Sequence, residues 1–519
     1  MPLLSHPIID CAESVKVEEA ILHGDEALIY DAMTRAGQGV GEAVLHDWLE
    51  VAPMPRKGLR ILVLCGVGHN GGDAMQAARF ILSQRGQARA RVVLAFGREK
   101  LRPLAAKSLE ALEEASGGRA EVAEWSEELG AELAGQSYDI CIEGIVGMQM
   151  RPPLREPAPR LFDTVNGMDI ALRAAVDLPA GMGDESSPEG YRADFTYATG
   201  IAKSPLFAAD AVARTGRVRY LDLGFFDKAA PDAIRRVLLL RNLKALRALR
   251  PAASDKRSFG HVFVLGGSRT MPGALAMATL GAVRSGAGLV TAVVPANLSS
   301  RMAPLVPEAM WQPLPIDAQG SLIPAEMLHG LRSQLSRASC LVAGPGMEMS
   351  RDLRVALSRL VRELDLPMVL DAGAICEETA NAVAARPISY PPVVFTPHMG
   401  EFMRMVGNFD DVEKALMDFT SHTRSVVLLK GSVTRICDGK NIYMDCLGGP
   451  VLARGGSGDI LSGIIGSLLA RRGAGALESA CLGSLWHGAA GEHLARERGQ
   501  EGVRTTELLD HLAPALREL

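Results

Sequence analysis

The chain has 519 residues, a formal net charge of −5, and a composition that is 48% hydrophobic but only 5% aromatic. This length predicts two large domains, and the many glycines with few aromatic residues favour α/β layers over a β-sandwich. Acidic and basic residues are mixed without a basic stripe, which excludes nucleic acid and anionic membrane surfaces as expected partners.

The eight cysteines form no Cys-x-x-Cys pair, and several lie in apolar runs typical of strands. This pattern indicates reduced, buried thiols in a cytoplasmic protein. The first residues lack the charged and apolar regions of a signal peptide. No apolar stretch reaches the roughly 18 residues of a membrane span. We therefore expect no membrane partner.

The first half of the chain alternates predicted helices with apolar segments typical of buried parallel strands. Helices are expected within 12–50, with a break at Ala36-Gly37, and over 74–83. Strands are expected at the four segments 60–65, 91–96, 140–142 and 174–179. The alternation predicts a doubly wound parallel sheet that binds ligands at the carboxyl ends of its strands.

A glycine-rich turn follows the first of these strands. Residues 66–71 match the G-x-G-x-x-G pattern of dinucleotide-binding turns, with Glu99 in the place of a ribose partner. The side chains of His69, Asn70 and Asp73 instead suit a small polar ligand or a cation. The residues alone leave both interpretations open.

Two acidic residues, Glu143 and Asp177, follow later strands of the first half. Parallel strands bring their carboxylates to the same sheet edge as the glycine-rich turn. Oxygens that converge at one sheet edge suit a site for a hard cation or for proton transfer. The alternative interpretation is that these acidic side chains are solvated helix caps.

A leucine- and arginine-rich helix is predicted over 238–250, followed by a linker at 251–258. We place the domain boundary near residue 245, which gives domains 1–245 and 246–519. The second domain repeats the α/β alternation. It has a predicted helix at 272–285 and strands at 260–265, 289–294, 340–343, 368–370, 393–396 and 425–429.

Polar motifs follow several strands of the second domain. Asp371 follows one strand, His398 and Glu401 follow the next, and Lys430 begins a segment of hydroxyl-bearing residues after another. A lysine beside hydroxyl groups suits a phosphate. Gly344-Pro345-Gly346 is a tight turn that lets a ligand approach the main chain. Each motif alone has an ordinary structural explanation, but together they predict one ligand site.

The turn Gly455–Gly458 leads directly into an apolar helix. Unpaired main-chain N–H groups and the helix dipole make such a start an anion-binding site. Asp459 places a carboxylate there, which is unfavourable unless it acts on the molecule that carries the anion. The segment therefore predicts phosphoryl transfer with Asp459 as catalytic base, and an ordinary capping Asp is the alternative.

Taken together, these motifs resemble the bifunctional NAD(P)H-hydrate repair enzymes over nearly the whole chain. The segments that carry the resemblance are 69–73, Glu143, 176–179, 266–268, 272–274, 344–346, 396–401, 430–431 and 455–459. The resemblance implies a Rossmann-like three-layer NAD(P)H-hydrate epimerase domain. It also implies a C-terminal ribokinase-like α/β domain that acts as an ADP-dependent NAD(P)H-hydrate dehydratase.

The resemblance implies repair of NADH and NADPH that have been hydrated at the nicotinamide ring. The dehydratase would phosphorylate the ring hydroxyl from ADP, release AMP and eliminate phosphate, with Mg²⁺ on the nucleotide phosphates. The epimerase would interconvert the R and S hydrates. By motif position, the dehydratase would contact the hydrate through Ala274, Gly346, His398 and Asp459. It would contact the nucleotide through Lys430, Gly431, Ser432, Val433, Thr434 and Gly458. The epimerase ligand would contact His69, Asn70, Gly71, Gly72, Asp73, Gly147 and Asp177.

The first half departs from the family pattern where the family holds a potassium ion. An Asn, an Asp and a Ser hold K⁺ in the family. Here Asn70 and Glu143 remain as predicted ligands, whereas Ala180 lacks the hydroxyl. Glu143 is one methylene longer than Asp, which moves its carboxylate by more than a catalytic site tolerates. The epimerase is therefore either active but impaired, or an inactive domain that binds a nucleotide or supports an oligomer.

A ribokinase-like small-molecule kinase is the main alternative for the second half. It would share the glycine-rich turn and Asp459, but not the first domain or the His398 motif. The resemblance favours ADP over ATP and implies a homo-oligomer, and it leaves the choice between NADH and NADPH hydrates open.

Overall fold

The computed structural model describes residues 3–52, 58–227 and 229–518, which form two compact units. The N-terminal unit comprises His6–Ala233 and Ala495–Glu501, and the C-terminal unit comprises Met1–Ser5, Ile234–Leu494 and Gly502–Leu519. Each unit therefore takes a short segment from the far end of the chain. The division at residue 245 stays a prediction. No helix in the described ranges is long and apolar enough to cross a membrane.

The N-terminal unit alternates strands and helices along the chain. Its elements are β1 (Ser5–Ile9), α1 (Cys11–Leu22), α2 (Glu26–Val51), β2 (Arg60–Cys65), α3 (His69–Gln84), β3 (Arg89–Leu94), α4 (Pro103–Ser116), β4 (Ala120–Glu124), α5 (Glu127–Ala134), β5 (Ser137–Gly144), α6 (Ala158–Asn166), β6 (Asp169–Val176), β7 (Phe195–Thr199), β8 (Ala202–Lys203), α7 (Val212–Thr215) and β9 (Arg217–Leu221).

A parallel sheet with the strand order β4-β3-β2-β5-β6-β7-β9 forms the centre of this unit. Its inner strands β2, β5 and β7 are buried on both faces. One apolar cluster includes Val40 of α2 and Met75 of α3, and the other includes Leu133 of α5 and Phe162 of α6. Helices therefore cover both faces, which confirms the predicted Rossmann-like three-layer arrangement. β1 and β8 pair in parallel.

The returning segment 495–501 is tied to the N-terminal unit through a buried carboxylate near the end of α2. Glu50 accepts a hydrogen bond from Arg217 Nη1 at 2.6 Å and another from Gln500 Nε2 at 2.8 Å. The last partner of Glu50 thus comes from a part of the chain more than 400 residues away.

The C-terminal unit contains a second alternation of strands and helices. Its elements are β10 (Arg235–Leu238), β11 (His261–Leu265), α8 (Pro272–Arg284), β12 (Leu289–Pro295), α9 (Ala296–Met302), β13 (Met310–Leu314), α10 (Pro324–Gln334), β14 (Cys340–Ala343), α11 (Arg351–Glu363), β15 (Met368–Leu370), α12 (Glu377–Ala384), β16 (Val393–Phe395), α13 (Met399–Val406), α14 (Val412–Thr423), β17 (Val426–Leu429), β18 (Thr434–Cys437), β19 (Ile442–Asp445), α15 (Ser457–Leu469), α16 (Ala476–Arg498) and α17 (Leu508–Arg517).

The sheet of this unit has the strand order β13-β12-β11-β14-β15-β16-β17-β18-β19-β10. Strands from β13 to β17 are parallel, whereas β17, β18 and β19 form an antiparallel meander. Consecutive parallel strands end at one edge of the sheet, and the polar motifs follow them there. The second α/β domain predicted from the sequence is confirmed.

The helix predicted over 238–250 is wrong. Strand β10 ends at Leu238, and a 3₁₀ helix follows over Leu240–Arg247. β10 pairs with β19, and this pairing buries Val237 and Leu238. The pairing of β10 with β19 covers Arg235–Val237 and ends before the predicted segment, which forms a shorter 3₁₀ helix.

The break predicted at Ala36-Gly37 and part of the turn predicted before residue 74 lie inside helices. α2 continues through Gly37, where a Cβ atom would lie 2.3 Å from Gln76 Cβ. α3 begins at His69, five residues before the predicted start, and contains Gly71 and Gly72. A Cβ atom on Gly71 would lie 2.3 Å from the carbonyl oxygen of Gly66. These glycines serve close packing between elements.

The close packing of α8 on α15 yields a prediction for Gly463. A Cβ atom on Gly463 would lie 2.0 Å from the carbonyl oxygen of Ala278. We expect Gly463→Ala to lower the free energy of unfolding by about 1–3 kcal/mol, because α8 and α15 must move apart. Urea denaturation followed by circular dichroism measures the change. Gly475→Ala is the matched control, since its Cβ atom would meet Glu478 Cβ only at 4.0 Å. Equal stability of the two variants would contradict this account.

Candidate active sites at the strand ends

The end of β15 places a buried aspartate beside a lysine in the C-terminal unit. Asp371 is 1% exposed, and its Oδ1 accepts hydrogen bonds from Thr396 Oγ1 at 2.8 Å and from Lys430 Nζ at 3.2 Å. Burial opposes a charge on Lys430, but the carboxylates of Asp371 and Glu401 outweigh it and hold the lysine pKa above its ordinary value. Lys430 is therefore a fixed cation at the sheet edge.

The start of α15 lies against this lysine. A Cβ atom on Gly458 would lie 3.0 Å from Lys430 Nζ, so the ammonium group sits beside the first turn of the helix. Gly456 has a φ of 92°, and a Cβ atom there would lie 2.1 Å from Met277 Sδ. Glycine is thus required at 456 both by the backbone conformation and by the space available. Ser457 N donates to the carbonyl oxygen of Arg454 at 3.3 Å.

Asp459 lies in the first turn of α15. Burial and the neighbouring Asp371 raise its pKa to about 7, although Lys430 acts in the opposite direction. A carboxyl group with a pKa near neutrality can exchange a proton with a bound ligand. The structure thus places the predicted catalytic base beside a cation and a helix N-terminus.

His398 and Glu401 form a capping box at the start of α13. Glu401 Oε2 accepts from His398 N at 2.9 Å, and His398 Nδ1 accepts from Glu401 N at 3.3 Å. The chain at His398 forms a parallel bridge with Lys430. The His398 side chain is 57% exposed, so its ring is fixed at one nitrogen yet accessible to a ligand.

The other residues predicted to contact the hydrate also come together. Gly346 has a φ of 68°, and a Cβ atom there would lie 3.1 Å from Ala274 Cβ. Gly267 N donates to the carbonyl oxygen of Pro345 at 2.8 Å, which joins the two glycine turns. The result is a surface formed by main chain and one methyl group.

The predicted nucleotide segment Lys430–Thr434 forms the turn between β17 and β18. Gly431 and Ser432 are exposed in it. The segment is thus open to a ligand and continuous with Lys430.

Sequence analysis missed a buried histidine behind the glycine-rich turn. His487 of α16 is 7% exposed, and its Nε2 lies 3.2 Å from Ser457 Oγ and 3.1 Å from Ser457 O. Burial lowers its pKa to about 4, so the ring is neutral near pH 7. It positions the first residue of α15. His487 lies in the middle of a largely buried helix, and its sequence context does not distinguish it from an ordinary core residue.

In the N-terminal unit, the first turn of α3 carries the predicted ligand residues 69–73. Asn70 is buried, its Nδ2 donates to Val146 O at 3.4 Å, and a Cβ atom on Gly147 would lie 3.5 Å from Asn70 Cβ. Gly147 and Asn70 are therefore neighbours, as the resemblance implied. His69 is exposed at the start of the helix.

Glu143 lies near the end of β5 and is fully buried. Its Oε1 accepts from Ile145 N at 2.6 Å, and its Oε2 accepts from Ala180 N at 3.1 Å. Burial raises its pKa to about 8 despite these bonds. Both oxygens are thus directed at main-chain N–H groups.

Asp177 follows β6 in a left-handed conformation, with a φ of 66°. Its Oδ1 accepts hydrogen bonds from Lys203 Nζ at 2.5 Å and Thr199 Oγ1 at 3.2 Å. Lys203 is only 1% exposed. The sequence analysis missed this lysine because β8 is only two residues long, although the strand-end rule that found Lys430 applies to it as well.

Two further acidic residues, Asp73 and Glu18, interact electrostatically with Lys203. Burial, Asp177 and Glu18 raise the pKa of Asp73 well above its ordinary value, and Lys203 acts in the opposite direction. Burial likewise raises the pKa of Glu18 to about 7. The structure thus gathers Asp73, Asp177 and Glu18 around one buried cation. Glu18 lies on α1, where nothing in the sequence distinguished it from the other acidic residues.

The chain matches two protein-family models. The family described as NAD(P)H-hydrate dehydratase matches residues 262–514, and the family described as YjeF-related protein N-terminus matches residues 30–204. The bifunctional NAD(P)H-hydrate repair enzyme of Moorella thermoacetica is 32% identical over 474 residues, which are 89% of this chain and 88% of that protein. The corresponding enzyme of Gloeobacter violaceus is 32% identical over an alignment of 523 positions, which covers 97% of each chain.

Among solved structures, the ADP/ATP-dependent NAD(P)H-hydrate dehydratase from Bacillus subtilis, co-crystallised with ATP and Mg²⁺, is 28% identical. The structural alignment covers 54% of this chain and 97% of the Bacillus subtilis chain, with a TM-score of 0.47.

The buried Lys203 pair yields a stability prediction. We expect Lys203→Met to cost about 3–5 kcal/mol of unfolding free energy, because it leaves Asp177 buried without its cation. The loss should be smaller at acid pH. Without Lys203 the pKa values of Asp73 and Glu18 rise further in the folded state, so the fold binds protons and gains stability as pH falls. Urea denaturation across pH measures both effects.

Lys414→Met is the matched control for this prediction. Lys414 pairs with Asp418 at 2.8 Å, but both side chains are about 70% exposed. We expect its effect to stay within about 0.5 kcal/mol. A loss at Lys203 no larger than that at Lys414 would refute the role assigned to the buried pair.

Proposed function

The chain belongs to the bifunctional NAD(P)H-hydrate repair enzymes, and on that premise we propose that each unit performs one step of the repair. The ribokinase-like C-terminal unit dehydrates the S hydrate of NADH or NADPH at the expense of ADP, releasing AMP and phosphate. The N-terminal unit interconverts the R and S hydrates. The observation that supports this proposal best is the group formed by Asp371, Lys430 and Asp459 at the start of α15.

The start of α15 would hold the phosphoryl group during transfer. Ser457 N already donates a hydrogen bond to the carbonyl oxygen of Arg454. The proposed anion hole therefore consists of the main-chain N–H groups of Gly456 and Gly458. Lys430, which lies against Gly458, adds a positive charge on the side from which the nucleotide approaches. Preorganised donors of this kind stabilise the charge that develops on the phosphoryl oxygens.

Asp459 would accept the proton of the ring hydroxyl as that oxygen attacks the phosphoryl group. Its raised pKa makes it a better base than an ordinary carboxylate, while it remains ionised in part near neutral pH. The small residues Ala274 and Gly346 would let the nicotinamide ring approach the main chain, and His398 would contact the ring from the exposed side.

Magnesium fits this site as a companion of the nucleotide. Proteins hold Mg²⁺ through one or two carboxylates together with substrate phosphates. Asp371 is the buried carboxylate that pairs with Lys430, and it is the group that would hold the ion. When bound, the ion neutralises charge on the phosphates.

In the N-terminal unit, Asp177 is the group best placed to move a proton at the hydroxyl-bearing carbon of the hydrate. Lys203 and Thr199 hold its carboxylate in one orientation. The ligand would lie against the first turn of α3, residues 69–73, and against Gly147.

The resemblance assigns a potassium ion to Asn70 and Glu143. The N–H groups around Glu143 do not fit that ion, and no step of the proposed epimerisation uses it.

A small-molecule kinase activity is the second candidate for the C-terminal unit. The hydroxyl-directed base Asp459 would serve a kinase equally well. Family membership over both halves of the chain favours repair. We further propose a cytoplasmic location, which suits the eight cysteines without disulfides, and a homo-oligomeric state.

The role of Asp459 yields a kinetic prediction. We expect kcat/KM for dehydration to rise with pH up to about 7, because the carboxyl group must lose its proton before it can act as a base. Asp459→Asn should abolish turnover at every pH, whereas calorimetry should still detect binding of ADP. Retained turnover in the variant would contradict the assignment of the base.

A mixture of both epimers tests the two activities together. We expect wild-type protein with ADP to convert the R and S hydrates completely to NADH, which is followed by its absorbance. Asp177→Asn should consume the S hydrate in a burst and then slow to the spontaneous rate of epimerisation. A burst and slow tail in the wild type would mean that the N-terminal unit is inactive. No conversion with ADP or ATP would overturn the repair function and favour the kinase.

A further inference from the structure

The contacts of Glu143 bear on how the N-terminal unit holds its ligand loops together. Glu143 lies between the segment after β5, which carries Gly147, and the segment after β6, which carries Ala180. Its Oε1 accepts from Ile145 N at 2.6 Å, and its Oε2 accepts from Ala180 N at 3.1 Å. One carboxylate therefore joins both segments.

This geometry is unfavourable for a bound cation. A hard cation such as K⁺ needs several oxygen atoms that converge on one point. Around Glu143 the converging groups are main-chain N–H groups, whose positive ends face the carboxylate and would repel an ion beside it. An aspartate would end about 1.5 Å earlier and leave space between its oxygens and these N–H groups.

Position 180 of the family's ion site agrees with this conclusion. Ala180 contributes only a methyl group, which packs in an apolar cluster with residues such as Tyr191. Asn70 is the remaining oxygen-bearing side chain, and its Nδ2 donates to the carbonyl oxygen of Val146 at 3.4 Å.

We propose that the Glu143 carboxylate replaces a bound potassium ion in this chain, so that the N-terminal unit works without potassium. The carboxylate accepts N–H groups from both loops, whereas an ion would bind oxygens from both. In either case the two segments that border the ligand are fixed to each other. The longer side chain and the lost hydroxyl are then a matched pair of changes: Glu143 fills the place of the ion, and the hydroxyl at 180 is no longer needed.

Thallium(I), which substitutes for K⁺ and scatters X-rays anomalously, locates the site directly. We expect crystals of the wild-type protein soaked in a thallium salt to show no anomalous peak bonded to Glu143 or Asn70. The double variant Glu143→Asp, Ala180→Ser restores the shorter acid and the hydroxyl and should show a peak there. A peak at Glu143 in the wild type would overturn the proposal.

Epimerisation without ADP provides a second readout in solution. The wild-type rate of interconversion of the hydrates, followed by chromatography, should be equal in potassium chloride and choline chloride at the same ionic strength. A tenfold or larger loss in choline chloride would overturn the proposal. Ala180→Ser alone should remain independent of potassium, because Glu143 still fills the site; a potassium requirement in this variant would count against the proposal even if the double variant does not fold.

The two proposals for this unit fail in different ways. If the wild-type protein epimerises the hydrates in neither salt, the epimerase function is wrong. The thallium experiment still decides whether Glu143 takes the place of the ion, because it depends on binding and not on turnover.

Discussion

A lysine paired with a buried aspartate at a strand end is the feature on which both sites depend. Lys430 reaches Asp371 after β15, and Lys203 reaches Asp177 after β6. Removing such charges from water is costly, and only the opposite charge of the partner makes it tolerable. Each pair then acts on neighbouring acids. Lys430 keeps Asp459 within reach of ionisation near neutral pH, and Lys203 offsets the repulsion among Asp73, Glu18 and Asp177. The reactivity assigned to both units follows from this balance.

The glycines at the starts of α15 and α3 have different structural roles in the two units. At the start of α15, Gly456 permits a left-handed turn and Gly458 leaves room for a lysine. At the start of α3, Gly71 and Gly72 instead allow the helix to press against Gly66 and Met33. The same kind of motif therefore opens main-chain N–H groups in one unit and brings a helix close to a strand in the other. Close packing thus accounts for Gly71 of the G-x-G-x-x-G pattern at residues 66–71.

Rules about the ends of parallel strands predicted much of the C-terminal site from sequence. Asp371, His398 and Lys430 were selected in this way, and Lys430 does meet Asp371. Asp459 was selected instead from the glycine-rich turn at the start of a helix. The rule failed where the local signal was short or ordinary, as with Lys203 at the end of a two-residue strand and His487 inside a long buried helix. Glu143 was selected, but only coordinates could reveal that its oxygens face N–H groups. The helix predicted over 238–250 is a 3₁₀ helix over Leu240–Arg247 that follows strand β10.

The return of residues 495–501 to the N-terminal unit has a consequence for the order in which the protein is made. A ribosome completes the first 233 residues long before it reaches Gln500, so the N-terminal unit emerges without the last partner of Glu50. Until almost the whole polypeptide has been synthesised, the ion-pair partners of that carboxylate are Arg217 and Arg219. The first unit thus acquires its Gln500 hydrogen bond only after the second unit has been nearly completed.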